Sequence, residues 1–286
     1  MFKLVLDAGH GHNTAGKRCD AKLDPKQTRE WDLNSRICEK IEERLKAYEG
    51  YDLMRVDDVT GKTDVALQTR TNNSNAFKAD FYLSIHHNAG IKGGSGGGVV
   101  AYMHPNAGDV TKAWRDALYN AVIKHTGRKG NRSKPLATSD FHVLRETDCD
   151  AVLLECGFMD SSTDVPIILQ NGFAEEVATA CVEVIASKGK LTKKASPTTQ
   201  SVTLDGINKG RGANELIMYV GKTSTGTNQY GTEAIIGADL KVEKVGKYGV
   251  GNTAIPAGKA VLSGHGDKSK WVQSLKVGTK LNISIK

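Results

Sequence analysis

Apolar positions recur along the first two thirds of the chain in two alternating rhythms. Short apolar runs at 3–7, 52–56, 81–85, 99–103 and 151–154 read as strands, with a further short one at 142–144. Between them the spacing lengthens. Leu33, Ile37, Ile41 and Leu45 stand at successive i+4 positions and predict a helix over Glu30–Leu45. A second helix is expected over 64–78. A third, over 109–125, carries Val110, Trp114, Leu118 and Val122 on one face and stops at Gly127. A fourth over 173–186 closes the region. Strands separated by helices argue for an α/β sheet covered on both faces.

The rhythm changes after 187. Residues 188–200 are rich in Lys, Ser and Thr and nearly free of apolar side chains, which predicts a linker. Beyond it, Leu216–Val220, 233–236, 241–245, Ala260–Leu262 and Lys280–Ile285 are short β-branched runs between turn signals. The expected organisation is therefore a domain over 1–187, a basic linker over 188–200 and a small β-rich domain over 201–286.

Three of the strand ends carry chemistry. Leu4-Val5-Leu6-Asp7-Ala8-Gly9-His10-Gly11 places a histidine just past a buried strand, between glycines. Ligand sites in open α/β sheets form at that end of the strands. Tyr82-Leu83-Ser84-Ile85-His86-His87-Asn88 repeats the arrangement, and strand alternation lets only one of its two histidines share a site with His10. Ala151-Val152-Leu153-Leu154-Glu155 ends a third strand in a carboxylate. Glu30 stands at the N-terminal end of the apolar stripe of its helix, where it either favours the helix N-terminus or binds a metal. Two histidines, one carboxylate and an open fourth position suit a catalytic zinc better than a closed structural one. A further glutamate nearby would serve as general base.

The segments Leu6-Asp7-Ala8-Gly9-His10-Gly11, Glu30 with Asn34, Leu67-Gln68-Thr69-Arg70, Ser84-Ile85-His86-His87-Asn88-Ala89 and Val152-Leu153-Leu154-Glu155-Cys156-Gly157-Phe158 occur in this order. In them residues 1–186 resemble the amidase-3 family of N-acetylmuramoyl-L-alanine amidases, found in bacterial autolysins and phage endolysins. The resemblance implies a mixed, mainly parallel six-stranded sheet with helices on both faces. It implies Zn2+ on His10, Glu30 and His86, Glu155 as the catalytic glutamate, and hydrolysis of the amide between N-acetylmuramic acid and L-alanine of peptidoglycan. Two departures stand out. Ala8 replaces the family's usual proline. Asp148-Cys149-Asp150 replaces an apolar-proline approach to the last strand, and two acids near Glu155 are expected to raise its pKa or alter the groove. Residues 201–286 resemble, more loosely, a β-domain that accompanies some bacterial extracellular glycosidases; His265 there reads as a structural or surface residue.

Charge and composition bound the partners. The net charge is +7 over 286 residues, but 201–286 alone holds twelve Lys and Arg against six Asp and Glu, and 188–200 adds four lysines without an acid. A basic tail on a mildly acidic body favours an anionic partner, here anionic wall polymers rather than nucleic acid. No apolar run approaches the roughly 20 residues that span a bilayer, so no membrane insertion is expected. The first residues are too soon charged for a secretory leader. That predicts synthesis in the cytoplasm and release to the wall by other means, such as a phage holin. Five cysteines at irregular spacings predict reduced, mostly buried thiols. Two rivals to the amidase reading are a wall- or polyanion-binding protein with a vestigial metal site and a zinc nucleobase deaminase. The second lacks the PCxxC element that chemistry uses.

Overall fold

The computed structural model describes residues 1–131 and 134–194, and beyond them the strands at 198–208, 216–220, 231–236, 242–248, 260–262 and 280–285. It divides into two compact units, Met1–Lys194 and Ala195–Lys286.

The first unit is built on a six-stranded sheet. Its strands are β1 (Phe2–Ala8), β3 (Tyr51–Arg55), β4 (Phe81–Asn88), β5 (Val100–Met103), β6 (Leu136–Thr138) and β7 (Asp150–Phe158), in the spatial order β3-β1-β4-β7-β5-β6. All neighbours run parallel except β5 and β7. The helices are α1 (Glu30–Leu45), α2 (Leu67–Phe77), α3 (Asp109–Thr126), α4 (His142–Arg145), α5 (Val165–Ile168) and α6 (Asn171–Lys188).

Strand alternation divides the core in two. Leu4, Leu6, Phe81, Leu83, Ile85, Val152 and Leu154 pack with Leu33, Ile37, Ile41 and the apolar residues of α3 and α6. Val5, Tyr82, Ala151 and Leu153 face the other way, against Val143 and Leu144 of α4. Both faces of the central strands are thus buried, as their unbroken apolar runs require. His86 and Glu155 continue the second set, two residues beyond Ser84 and Leu153, and so emerge on the α2/α4 side of the sheet.

Two expectations are corrected. Residues 142–144 form the helical turn α4, closed by Leu144 and Arg145 N–H groups on the Phe141 carbonyl, rather than a strand. Val143 and Leu144 are both buried there, so a short apolar run carried no period to tell helix from strand. Val110 stands 63% exposed; Thr111 is the buried residue of that turn, its hydroxyl 2.5 Å from the Asp150 carboxylate. Trp114, Leu118 and Val122 are buried as read, and α3 ends in a left-handed Gly127. The division between the two units, at 194/195, falls inside the stretch 188–200 read as a linker. That stretch contains the end of α6, the strand β8 (Thr192–Lys193), which pairs with β2 (Tyr48–Glu49), and the start of β9 (Thr198–Asn208). The Thr192 and Lys193 side chains are exposed while their backbone is paired, so composition resembled a linker.

The second unit holds a six-stranded sheet in the order β12-β11-β10-β9-β14-β13, with every pair antiparallel. Its other strands are β10 (Leu216–Val220), β11 (Gly231–Ile236), β12 (Val242–Tyr248), β13 (Ala260–Leu262) and β14 (Lys280–Ile285). Residues 195–197, the intervening loops and His265 lie outside the described residues. No helix among the described residues is long and apolar enough to cross a membrane. All five cysteines are free; four are buried and Cys149 is half-buried.

Candidate active site

Strands β1, β4 and β7 are neighbours and parallel, so their carboxyl ends meet at one edge of the sheet. His10 follows β1, His86 lies near the end of β4, and Glu155 pairs with His86 in register across β4 and β7. Glu30 comes to the same place from the first turn of α1. Ligand atoms of His10, Glu30 and His86 all lie within 4.8 Å of one another.

The trio is organised around a buried carboxylate. Glu30 Oε1 is 3.0 Å from His86 Nδ1 and 3.5 Å from His10 Nε2, and it accepts the His87 backbone N–H at 3.2 Å. Its other oxygen, Oε2, is buried and has no hydrogen-bond partner; the nearest charge is Lys17 Nζ at 3.6 Å. A buried carboxylate oxygen without a partner is costly. Together with two imidazoles it forms a donor set that a zinc ion satisfies.

Electrostatics follow from this packing. Burial would push Glu30 up, but the His86 hydrogen bond and the charges of His86, His10 and Lys17 outweigh it and hold Glu30 at about 2. Burial pulls His10 down to about 4, against the attraction of Glu30, so its imidazole is neutral and able to donate a lone pair at neutral pH. For His86, burial is outweighed by the hydrogen bond and charge of Glu30, and the pKa rises. Glu155 is pushed up to about 7, chiefly by burial, and its Oε2 has no partner. The acids of Asp148-Cys149-Asp150 are not the cause. They sit at the opposite end of β7, about 17 Å away at roughly 3.3 Å per residue. There Asp150 accepts the Thr111 hydroxyl, and the Asp148 N–H donates to Asn75.

The loop that carries His10 is fastened from beneath. Arg70, fully buried on α2, directs its five N–H bonds to the carbonyls of Val65, Ala8 and His10 and to the carboxylates of Asp7 and Asp64. Asp7 also accepts the Ser84 hydroxyl at 2.7 Å, which joins β1 to β4. Asn34 donates to the Gly9 carbonyl at 3.1 Å and meets His87 Nδ1 at 2.8 Å. His87 is therefore a buried strut on the opposite face of β4 from His86, as alternation required. His10 itself has φ 69°, a left-handed conformation that this network over-determines.

A cavity of about 580 Å³ adjoins the cluster, and its lining includes His10, His86 and Glu155 together with Leu67, Phe141 and Val143. Of the residues that build it, Arg70 and Asn34 were visible only as motif letters. Lys17, Asp64 and Phe141 carried no signal beyond residue type. Lys17 follows Gly16 in a polar loop, and only its pairing with Glu30 marks it out.

The fold and this cleft define an α/β protein with a His/Glu/His donor cluster and an opposed glutamate at the carboxyl edge of its sheet. Comparison with known proteins narrows that class. Residues 4–187 match the sequence profile of the N-acetylmuramoyl-L-alanine amidases. The chain is 31% identical over 198 residues to the N-acetylmuramoyl-L-alanine amidase CwlM of Bacillus licheniformis, spanning 68% of this chain and 72% of that protein. It is 32% identical over 198 residues to the endolysin of Bacillus phage SPP1, spanning 68% and 69%. Among solved structures, an N-acetylmuramoyl-L-alanine amidase from Clostridium difficile 630 superposes with a TM-score of 0.58 at 24% identity, over 65% of this chain and 95% of that one. The catalytic domain of CwlV from Bacillus (Paenibacillus) polymyxa var. colistinus gives 0.58 at 24% identity, over 66% and 98%. The chain belongs to the N-acetylmuramoyl-L-alanine amidase family, and its six-stranded, mostly parallel sheet is the fold of these structures.

Proposed function

We propose that the protein hydrolyses the amide between N-acetylmuramic acid and L-alanine of peptidoglycan, as a zinc enzyme that lyses bacterial walls in the manner of an endolysin. The observation that carries this reading is the convergence of His10, Glu30 and His86 around an unpartnered buried oxygen, with Glu155 on the neighbouring strand. His10, Glu30 and His86 would hold the zinc. When bound, zinc supplies a Lewis acid for the amide carbonyl and makes water a stronger acid.

The chain's own residues do the rest. Glu155, which lines the cleft beside His86, takes the proton of the attacking water. The water oxygen bonds to the lactyl carbonyl carbon, and the carbon–nitrogen bond breaks with its electron pair left on the alanine nitrogen. Glu155 returns the proton to that nitrogen, so the products are a lactyl carboxylic acid and a free amine. Leu67, Phe141 and Val143 give the cleft apolar lining. The basic 201–286 region holds the enzyme to anionic wall polymers, and the body reaches the wall after release from the cytoplasm, as through a holin.

Digestion of defined peptidoglycan, with mass analysis of the fragments and metal analysis of the protein, tests the proposal. New L-alanine amino termini, intact glycan chains and about one zinc per chain are expected. New reducing ends without new amino groups would sink it.

A further inference from the structure

Among the described residues, two Lys or Arg side chains line the cleft: Arg70 and Lys17. Arg70 has no N–H to offer a substrate, since every one already meets a protein oxygen. Lys17 is different. Its side chain is 43% exposed, and Glu30 Oε2, at 3.6 Å, is its only carboxylate neighbour among the described residues and too far for a hydrogen bond. Its place is set by the backbone, because the Glu30 N–H donates to the Lys17 carbonyl at 3.1 Å. The loop thereby delivers an ammonium group beside the donor cluster by the same contact that starts α1.

From this placement we infer that Lys17 is a further catalytic residue, which contacts the oxygen of the scissile acyl group. The inference rests on the hydrolytic reading above. In amide hydrolysis negative charge grows on the carbonyl oxygen and ends on the released lactyl carboxylate, so one cation placed there serves both. Once a metal engages Glu30, no other carboxylate among the described residues stands within 4.0 Å of the ammonium, and the flexible four-carbon stem lets it follow the oxygen. A cationic donor beside developing negative charge stabilises the transition state. The reaction gains no new atom or electron from it; the ammonium keeps its proton throughout.

The test compares the full-length zinc protein with Lys17→Met and Lys17→Arg. On peptidoglycan fragments, Lys17→Met should lower kcat by about 10²-fold, the scale of losing one such donor, with KM little changed and zinc content unchanged. Lys17→Arg should recover part of it. Independently of turnover, the parent should bind N-acetylmuramic acid more tightly than its methyl ester, and Lys17→Met should reduce that preference by about tenfold. The inference stands only if kcat and the acid preference fall together. Parental kcat, an unchanged preference, or loss of zinc in Lys17→Met overturns it. So does an effect that vanishes on fragments whose stem carboxylates are all amidated, since the lysine would then be reading the stem peptide. If the parent releases no L-alanine amino termini, the hydrolytic reading itself fails; if it releases them and Lys17→Met does so at the parental rate, this inference alone fails.

Discussion

Gly9 lies directly against the imidazole of His86: a Cβ on Gly9 would stand 2.0 Å from His86 Cε1 and 2.3 Å from Nε2. The turn after β1 and the end of β4 therefore fit only while position 9 has no side chain, and the ring that Gly9 admits is one of the three donors. Gly9→Ala should displace the His86 ring while leaving the sheet intact. The expected result is loss of bound zinc with a native far-UV circular dichroism spectrum. Full zinc retention in Gly9→Ala would show that this contact does not position the ring.

Removing either carboxylate should give different defects. Glu30→Gln removes the negative charge at the centre of the cluster and turns one of its two oxygens into an NH2 donor, and should lose zinc and activity together. Glu155→Gln should keep zinc and lose activity by about 10²–10⁴-fold, the usual range for a general base. His86→Ala should behave like the first. His87→Ala should spare zinc but destabilise the fold through its lost contact with Asn34. Metal content and wall-lysis rates on the four variants decide the assignments, and parental lysis by Glu155→Gln would remove that residue from the mechanism.

Glu155 also predicts a trade between activity and stability. Burial raises its pKa to about 7, above its unfolded value. Between roughly pH 4.3 and its folded value, the unfolded chain holds the charge and the folded one the proton, so stability falls as pH rises through this window. Above it the full cost of the buried charge remains. Metal-free Glu155→Gln should therefore be more stable than the metal-free parent at pH 8, by on the order of 1–3 kcal/mol, and equal to it at pH 4. Denaturant midpoints at the two values check this. Equal stability at pH 8 would contradict it.

Asp7 has the opposite sign. Burial alone would push its carboxyl up, but Arg70, His86 and the Ser84 hydroxyl outweigh that and hold it below the ordinary carboxylate range. Its contribution is present above the unfolded value of about 3.9 and is lost as pH falls through the lower folded value. Asp7→Asn should flatten the acid limb of the stability curve. Arg70→Met should cost about 3–5 kcal/mol, because it strands a buried carboxylate. A chemical denaturation series from pH 2 to 6 reads both effects, and an Arg70→Met protein as stable as the parent would refute the account.

The charge of the second unit predicts how the chain holds a wall. Its side of the sequence carries an excess of six positive charges over 201–286. A chain ending at Lys194 should keep its turnover on small fragments but bind walls less. The full chain's wall binding should weaken as salt rises through about 0.15 M, where the Debye length is about 8 Å. Undiminished binding by the shortened chain would remove the targeting role.

The elements of the first unit were written in its apolar rhythm. The i+4 repeat of Leu33, Ile37, Ile41 and Leu45 marked α1 from Glu30 to Leu45, and the buried runs marked β1, β4 and β7. Alternation alone separated His86 from His87, because side-chain direction in a strand is a local property. Composition gave no sign of pairing where polar side chains sit on paired backbone, as at Thr192 and Lys193. A three-residue apolar run failed at His142, because it is too short to carry a period. What the chain could not decide locally was adjacency. That His10, Glu30 and His86 meet within 4.8 Å depends on β1 and β4 lying side by side and parallel, with the first turn of α1 brought to their ends. The same holds for Arg70, whose acceptors span residues 7 to 65, and for Lys17, set beside the cluster by one backbone hydrogen bond to Glu30. Residue type and period are carried by neighbours in sequence; distances between donors are set by which strands pair, and only the folded sheet makes that choice.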